Sequence, residues 1–261
     1  MATTYLDSIV VRHREIAAAD ERSLDALVER ARSMPAARGF RQALRGSDRL
    51  AVISEIKRRS PSKGDLNIDL DPAAMAMTYA AGGASCLSVL TDEEFFGGSI
   101  TDLQTARAAC DLPVLRKDFT VSAADVCDAR LMGADCVLLI VAALSADEVV
   151  SFHRLADDIG LDVLVEIHDE PELDVALEAG ATLVGVNQRD LVTFQVDHAR
   201  AERMAGLMPA GVVRVAESGV RGGADARRLR AVGYDAVLVG ETLVTAADPA
   251  AAIIELTDAA G

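Results

Sequence analysis

Gly133-Ala-Asp-Cys-Val-Leu-Leu-Ile140 decides the fold, because the same grammar returns three more times. It is a glycine closing a helical pattern, then one or two residues, then an apolar run. The other copies are Gly83-Ala-Ser-Cys-Leu-Ser-Val-Leu90, Gly180-Ala-Thr-Leu-Val-Gly-Val186 and Gly233-Tyr-Asp-Ala-Val-Leu-Val-Gly240. Glycine just past a helix supplies the left-handed cap, and a continuous apolar run suits a parallel strand buried on both faces. The four glycines lie 50, 47 and 53 residues apart. Midway between these strands, residues 51–57, 113–118, 162–168 and 212–218 read as four others. Eight strands alternating with helices at about 25 residues per unit have the cadence of a (β/α)8 barrel made of four βαβα modules.

The intervening stretches carry helical spacing over 72–81, 100–109, 123–132, 146–159, 171–179, 198–207, 224–232 and 249–256. Asp71-Pro72, Ser122, Ser145 and Asp248-Pro249 are start signals: a side-chain acceptor, or proline where no N–H is needed. Ahead of the first strand, Leu6, Ile9, Val10, Leu24, Leu27 and Val28 show helical spacing, with a break at 35–39. Residues 1–45 are therefore expected as extra N-terminal helices covering the barrel, inside one domain spanning 1–261. An open doubly wound sheet is the rival, but no Gly-x-Gly-x-x-Gly follows any strand.

Bulk properties narrow the function. The chain has 261 residues, 51% apolar and 26% charged, which is globular. A formal charge of −15 argues against nucleic acid and anionic membranes as partners. The longest apolar run, 137–144, is far short of a membrane span, and the first residues carry no signal-peptide pattern. Cys86, Cys110, Cys127 and Cys136 lack ligand spacing and sit in apolar contexts, as buried thiols of a cytoplasmic protein would. No metal cluster is visible and no cofactor is called for. A monomer or weak oligomer is expected.

Chemistry gathers at the strand ends. Glu55 and Lys57 share one side of the first strand by alternation. After them, 58–64 is basic and turn-like, giving four positive charges between Lys57 and Lys63 and no negative one. The third strand ends at Lys117, the fifth at Glu166 and His168, and the seventh at Glu217-Ser218. The sixth ends in Asn187-Gln188-Arg189 and the eighth in Gly240-Glu241. A barrel brings its C-terminal strand ends to one mouth, where active sites sit. Each charge alone is compatible with a structural ion pair. Two lysines and three glutamates converging there perturb one another and suit acid–base roles. Ser218-Gly219-Val220 and Gly240-Glu241-Thr242 present loop glycines after strands seven and eight, the usual phosphate position of such barrels.

These residues resemble a known family over nearly the whole chain. The blocks are Ser54-Glu-Ile-Lys-Arg-Arg-Ser-Pro-Ser62, Ser88-Val-Leu-Thr-Asp-Glu-Glu-Phe-Phe-Gly-Gly-Ser99 and Pro113-Val-Leu-Arg-Lys-Asp-Phe119. Val165-Glu-Ile-His168, Gly185-Val-Asn-Gln-Arg-Asp-Leu191, Ala216-Glu-Ser-Gly-Val220 and Val239-Gly-Glu-Thr-Leu243 continue the series. In that order they resemble indole-3-glycerol-phosphate synthase. Gln188 stands where the family often has Asn, and Glu241 where some members carry Ser.

The resemblance implies a (β/α)8 barrel with an N-terminal helical extension. It also implies a reaction: 1-(2-carboxyphenylamino)-1-deoxyribulose 5-phosphate closes to indole-3-glycerol phosphate, losing CO2 and water. Carried to matching positions, Lys117 would be the general acid and Glu166 its acid–base partner. Lys57 would bind the anthranilate carboxylate. Glu55, Asn187, Glu217 and Ser218 would orient the substrate, with Arg189 nearby. Ser60, Gly219, Gly240 and Glu241 are expected at the phosphate, and Phe96 and Phe119 at the aromatic ring. His168 reads as a supporting or core residue, and His13, His153 and His198 as surface. The rivals are a phosphoribosylanthranilate isomerase-like barrel, which typically needs a Cys/Asp pair at two strand ends, and a non-catalytic phosphosugar-binding barrel, in which the lysines or glutamates would be eroded.

Overall fold

Gly83, Gly133, Gly180 and Gly233 all take the left-handed conformation, with φ between +86° and +98°. Each turns the chain from a helix into a strand. In this computed structural model, which describes residues 4–45, 49–190 and 192–258, those strands close a barrel. Met1 to Thr3 of the expected extension and Leu191 of one motif lie outside the described residues. The barrel strands are β1 (Ala51–Ile56), β2 (Cys86–Leu90), β3 (Val114–Lys117), β4 (Cys136–Ile140), β5 (Asp162–Ile167), β6 (Leu183–Asn187), β7 (Val213–Glu217) and β8 (Ala236–Val239). Every neighbouring pair is parallel, and β1 closes the ring by pairing with both β2 and β8.

The helices are α1 (Tyr5–Ala18), α2 (Leu24–Arg32), α3 (Phe40–Ala43), α4 (Pro72–Ala81), α5 (Glu93–Phe96), α6 (Ile100–Ala109) and α7 (Ala123–Leu131). They continue with α8 (Ala146–Asp158), α9 (Glu170–Glu178), α10 (His198–Ala205), α11 (Gly223–Ala231), α12 (Glu241–Val244) and α13 (Pro249–Asp258). The start signals act as expected. Asp71, Ser122 and Ser145 accept N–H bonds in the first turns of α4, α7 and α8, and Asp248 accepts from Ala251 at the start of α13. The sequence did not announce α5, α12, a turn of 3-10 helix at Val141–Ala143, or an antiparallel pair between Arg59–Ser60 and Gly64–Asp65. All are too short to show periodicity.

Two cores result. Val52, Tyr79, Leu103, Val126, Val165 and their neighbours fill the space between the outside of the barrel and the helices. Ile53, Leu115, Cys136, Leu138, Leu164, Leu183, Val215 and Leu238 fill the barrel's interior, where Phe40 and Leu44 of the N-terminal segment join them. The segment around α3 is a plug at the N-terminal end of the barrel. It is held by carboxylates at the strand starts: Asp162 accepts the N–H of Arg41 at 2.8 Å, and Asp135 that of Arg38 at 2.9 Å. Asp135 also accepts the N–H of Val114 at 2.9 Å, and Asp235 that of Arg214 at 2.8 Å. The aspartate after a repeat glycine thus ties the start of its strand to the preceding one.

At the opposite end, α1 docks beside the barrel mouth. Arg14 pairs with Glu148 at 2.5 Å, and His13 Nε2 lies 3.0 Å from Asp92 and 3.9 Å from Asp118. Burial works against a charged His13 ring, but the hydrogen bond to Asp92 and the charges of Asp118, Asp92 and Asp125 outweigh it and raise its pKa. The charged ring therefore stabilises the fold below its ordinary value of 6.5, and this is lost as pH rises through the raised folded value. The fall in Tm between about pH 6 and about pH 9 is expected to be smaller in His13→Gln than in the wild type. Equal slopes would show that this junction carries no proton-linked stability.

Candidate active site

Inward-facing positions change character toward the C-terminal ends of the strands. Ile53 in β1 gives way to Glu55, Leu115 in β3 to Lys117, Leu164 in β5 to Glu166, and Val215 in β7 to Glu217, each two residues on. Register brings Asn187 opposite Glu217, and Glu166 opposite Gly185. The result is a buried polar layer resting on the apolar one.

Within it, Lys117 Nζ lies 3.2 Å from Glu166 Oε2 and 4.0 Å from Glu217 Oε2. Asn187 Nδ2 donates to Glu166 Oε1 at 2.9 Å, and Lys57 Nζ sits 2.5 Å from Glu55 Oε1. Glu55, Glu166, Glu217 and Asn187 are all buried. Two glycines make the room. A Cβ on Gly185 would lie 2.0 Å from Glu217 Oε1, and one on Gly240 would lie 2.3 Å from Glu55 Oε1 and 3.0 Å from Lys57 Nζ. Gly240, singled out for phosphate, thus also clears space for the Glu55–Lys57 pair.

Proximity divides the protons unequally. Burial, then the neighbouring Glu166 carboxylate, pushes Glu217 well above the usual carboxylate range, against the pull of Lys117. Burial would raise Glu166 too, but Lys117, the His168 charge and the bond from Asn187 hold it below that range. Burial opposes the Lys117 ammonium, yet Glu166, Glu217 and Glu55 raise its pKa above the ordinary lysine value. The layer therefore holds the Lys117 ammonium and an ionised Glu166, and its surroundings drive Glu217 toward its protonated form. Among the described residues, Glu217 Oε1 is buried without a hydrogen-bond partner.

Above the layer lies a cavity of about 920 Å³, whose walls include Glu55, Lys57, Lys117, Glu166, Asn187, Glu217 and Ser218. Arg189, Ser60, Phe96, Phe119, Gly219, Gly240 and Glu241 line it as well. The Phe96 and Phe119 rings are 6.2 Å apart, tilted by 36°. Ser218 and Gly219 have φ of +67° and +76°, and Gln188 Nε2 donates to the Ser218 carbonyl at 2.7 Å. A Cβ on Gly219 would stand 2.4 Å from Val196 Cγ1, so this turn is closed to larger residues on steric grounds alone. Lys63 lies 3.5 Å from Glu241 across the same end.

Several sequence readings need correction. The four positive charges after β1 do not all face the cavity: Arg58 is bound to Asp102 and Arg59 lies 3.5 Å from Asp65, leaving Lys57 and Lys63 on the wall. Arg189, expected near the substrate, does line the cavity, and its guanidinium also donates to the Phe194 carbonyl of its own loop at 3.0 Å. Of the histidines read as surface, His13 is in the α1 junction, His153 is buried and His198 lines the cavity. Cys110 is only partly buried. The sequence reading missed Tyr5, Leu6, Ile9, Phe194 and Val196 as cavity walls. Leu6 and Ile9 had shown only helical spacing, and nothing in a chain pattern says which barrel mouth a leading helix covers. His13, Asp92 and Asp118 come close enough to share one ion. Their oxygens already cap α5 through Phe95 and Phe96 and accept from Arg116, Thr91 and the Phe119 N–H, which makes the cluster a structural junction.

A closed parallel barrel with paired lysines and carboxylates buried at its C-terminal mouth defines a barrel enzyme whose mouth is suited to acid–base chemistry. A family model described as indole-3-glycerol phosphate synthase matches residues 6–256. The indole-3-glycerol phosphate synthase of Streptomyces griseus is 52% identical over 237 residues, covering 91% of this chain and 88% of that one. The enzyme of the same name from Mycolicibacterium vanbaalenii is 48% identical over 260 residues, covering 99% and 95%. Thiamine phosphate pyrophosphorylase from Pyrococcus furiosus shares the fold alone, with a TM-score of 0.62 and 16% identity over 81% of this chain and 95% of that one. The chain belongs to the indole-3-glycerol phosphate synthase family. Its activity is that of a carboxy-lyase of tryptophan biosynthesis, closing the indole ring with loss of CO2 and water. The comparisons lend nothing to an isomerase or a non-catalytic barrel. Cys86 and Cys136 point into the apolar interior, and burial pushes both thiols up.

Gly185→Ala places a methyl group against Glu217 and is expected to cost about 1–3 kcal/mol by overpacking, with a fall in turnover. Thermal melts and a fluorescence assay of indole-glycerol-phosphate formation check this. An unchanged Tm and rate would contradict the packing account.

Proposed function

We propose that Lys117 is the general acid and Glu166 the base of the ring closure, with Glu217, Asn187 and Glu55 holding the substrate's hydroxyls. The observation that carries this reading is the 3.2 Å contact between Lys117 and an ionised Glu166 at the floor of the cavity. Lys117 gives a proton to the ketone oxygen as the ring carbon attacks. The bond to the carboxylate carbon then breaks, CO2 leaves, and its electron pair restores the aromatic ring. The new hydroxyl takes up a proton from Lys117, recharged from solvent, and departs as water, while Glu166 takes the carbon-bound proton shed as the pyrrole ring becomes aromatic. Lys57, tethered to Glu55, is suited to the anthranilate carboxylate, and Phe96 and Phe119 to the aromatic ring. Ser218 completes the positioning set beside Glu217.

The phosphate is assigned to the end walled by Ser60, Gly219, Gly240 and Glu241, with Lys63 and Arg189 near it. Support comes from the tight Ser218-Gly219 turn and from Gly240 at the start of α12, which present backbone rather than side chain. Glu241 at an anion site is offset by Lys63. Walls drawn from both the extension and the barrel support reading residues 1–261 as one domain, in which a monomer suffices for catalysis. Free cysteines, and the lack of any helix long and apolar enough to cross a membrane among the described residues, favour a cytoplasmic enzyme. The acid–base steps described here draw on these side chains alone.

Lys117→Met keeps a side chain of similar length without the proton, and turnover is expected to fall by about 10²–10⁴ in a folded protein. Near-normal turnover would remove Lys117 from the acid role. A dephosphorylated substrate analogue is expected to bind far more weakly than the phosphate ester, and equal affinity would overturn the phosphate assignment.

A further inference from the structure

His168 stands outside the chemistry just described. It is the first residue past β5, on the same side of the strand as Glu166, and it is not among the cavity walls. Its position is nonetheless closely held. Nδ1 lies 3.0 Å from Glu172 Oε2, and the backbone N–H of His168 donates to that same oxygen at 2.6 Å. Glu172 is itself fixed at the start of α9, where its N–H bonds to Asp169 at 3.0 Å. The clamp leaves Nε2 facing Glu166 Oε1 at 3.8 Å, buried and with no hydrogen-bond partner among the described residues.

Glu166 therefore sits between two cationic groups. Lys117 approaches one carboxylate oxygen and His168 the other, while Asn187 donates to the His168 side. We infer that His168, clamped by Glu172, is a positioning residue that keeps Glu166 in its proton-accepting form. This rests on Glu166 being the base. Burial disfavours the charged imidazole, and Arg200 from α10 opposes it, but Glu172 and Glu166 outweigh both and raise its pKa. The surroundings thus favour the charged ring. Its charge matters most after Lys117 has given its proton away. At that moment Glu166 has lost its nearest cation, and the imidazolium is the positive charge that remains beside it.

The test is the pH profile of kcat. In His168→Asn, which carries no charge at any pH, Glu166 is easier to protonate, and the acid limb is expected to move up by about one pH unit. KM should hold, since His168 does not line the cavity. His168→Lys restores a cation and should return the limb toward its wild-type position. Glu172→Gln weakens the clamp and should move the limb in the same direction by less; it serves as the test if His168→Asn fails to fold. An unmoved limb in the folded variants, or the same displacement in His168→Lys as in His168→Asn, overturns the inference. Glu166→Gln is run alongside. Loss of turnover there keeps the base assignment, so that an unmoved limb counts against His168 alone. Turnover surviving in Glu166→Gln removes the base assignment and the role of His168 with it.

Discussion

The contact between Lys117 and Glu166 is the interaction around which the mouth of this barrel is arranged. A buried charge is tolerated only when it is paired and its remaining bonding capacity is met. Here an ammonium lies among three carboxylates inside a low-dielectric layer. The layer persists because Asn187 binds Glu166, Lys57 pairs with Glu55, and burial beside Glu166 drives Glu217 toward its protonated form. Such a layer is costly for stability, and a wholly apolar interior would pack as well. Its arrangement makes sense as preparation for proton transfer, where groups of divergent acidity must stand within reach of one molecule. Gly185 and Gly240 follow from the same constraint, since a methyl group at either position would collide with the carboxylates.

The extension ahead of β1 acts at both ends of the barrel. Phe40 and Leu44 complete the interior core from below, anchored by Asp135 and Asp162. At the top, Tyr5, Leu6 and Ile9 of α1 form part of the cavity wall, held by His13 and Arg14. His13 also packs against Phe119, with ring centroids 5.5 Å apart, and so links the docking of α1 to a residue two positions after Lys117 in the chain. The segment is thus part of the site's construction as well as its cover.

The barrel was legible in the sequence because its repeat is carried by backbone chemistry: a left-handed glycine and a doubly buried strand leave marks that do not depend on distant contacts. The charged layer was legible because strand alternation alone puts Glu55 with Lys57 and Glu166 with His168, while the fold aligns the strand ends. What escaped notice depended on long-range partners. Arg58 counted among the four positive charges of the basic loop, but Asp102, 44 residues on, claims it. His13, His153 and His198 read as surface because helical spacing does not say which face a lone histidine occupies. Gly240 read as a phosphate-loop glycine and Gly185 only as part of a family motif, and only the side chains of Glu217 and Glu55 reveal why nothing larger fits.

The central claim is that proximity inside this layer divides the protons unequally, raising the Glu217 carboxyl well above the usual range while Glu166 is held below it. The most direct measurement is a pH titration of the glutamate side-chain carboxyls by ¹³C NMR in the intact protein. The account predicts one carboxyl titrating far above the others, still protonated at neutral pH, whose signal disappears in Glu217→Gln. Glutamates all ionised by neutral pH, or a high-titrating signal that survives that substitution, would contradict it.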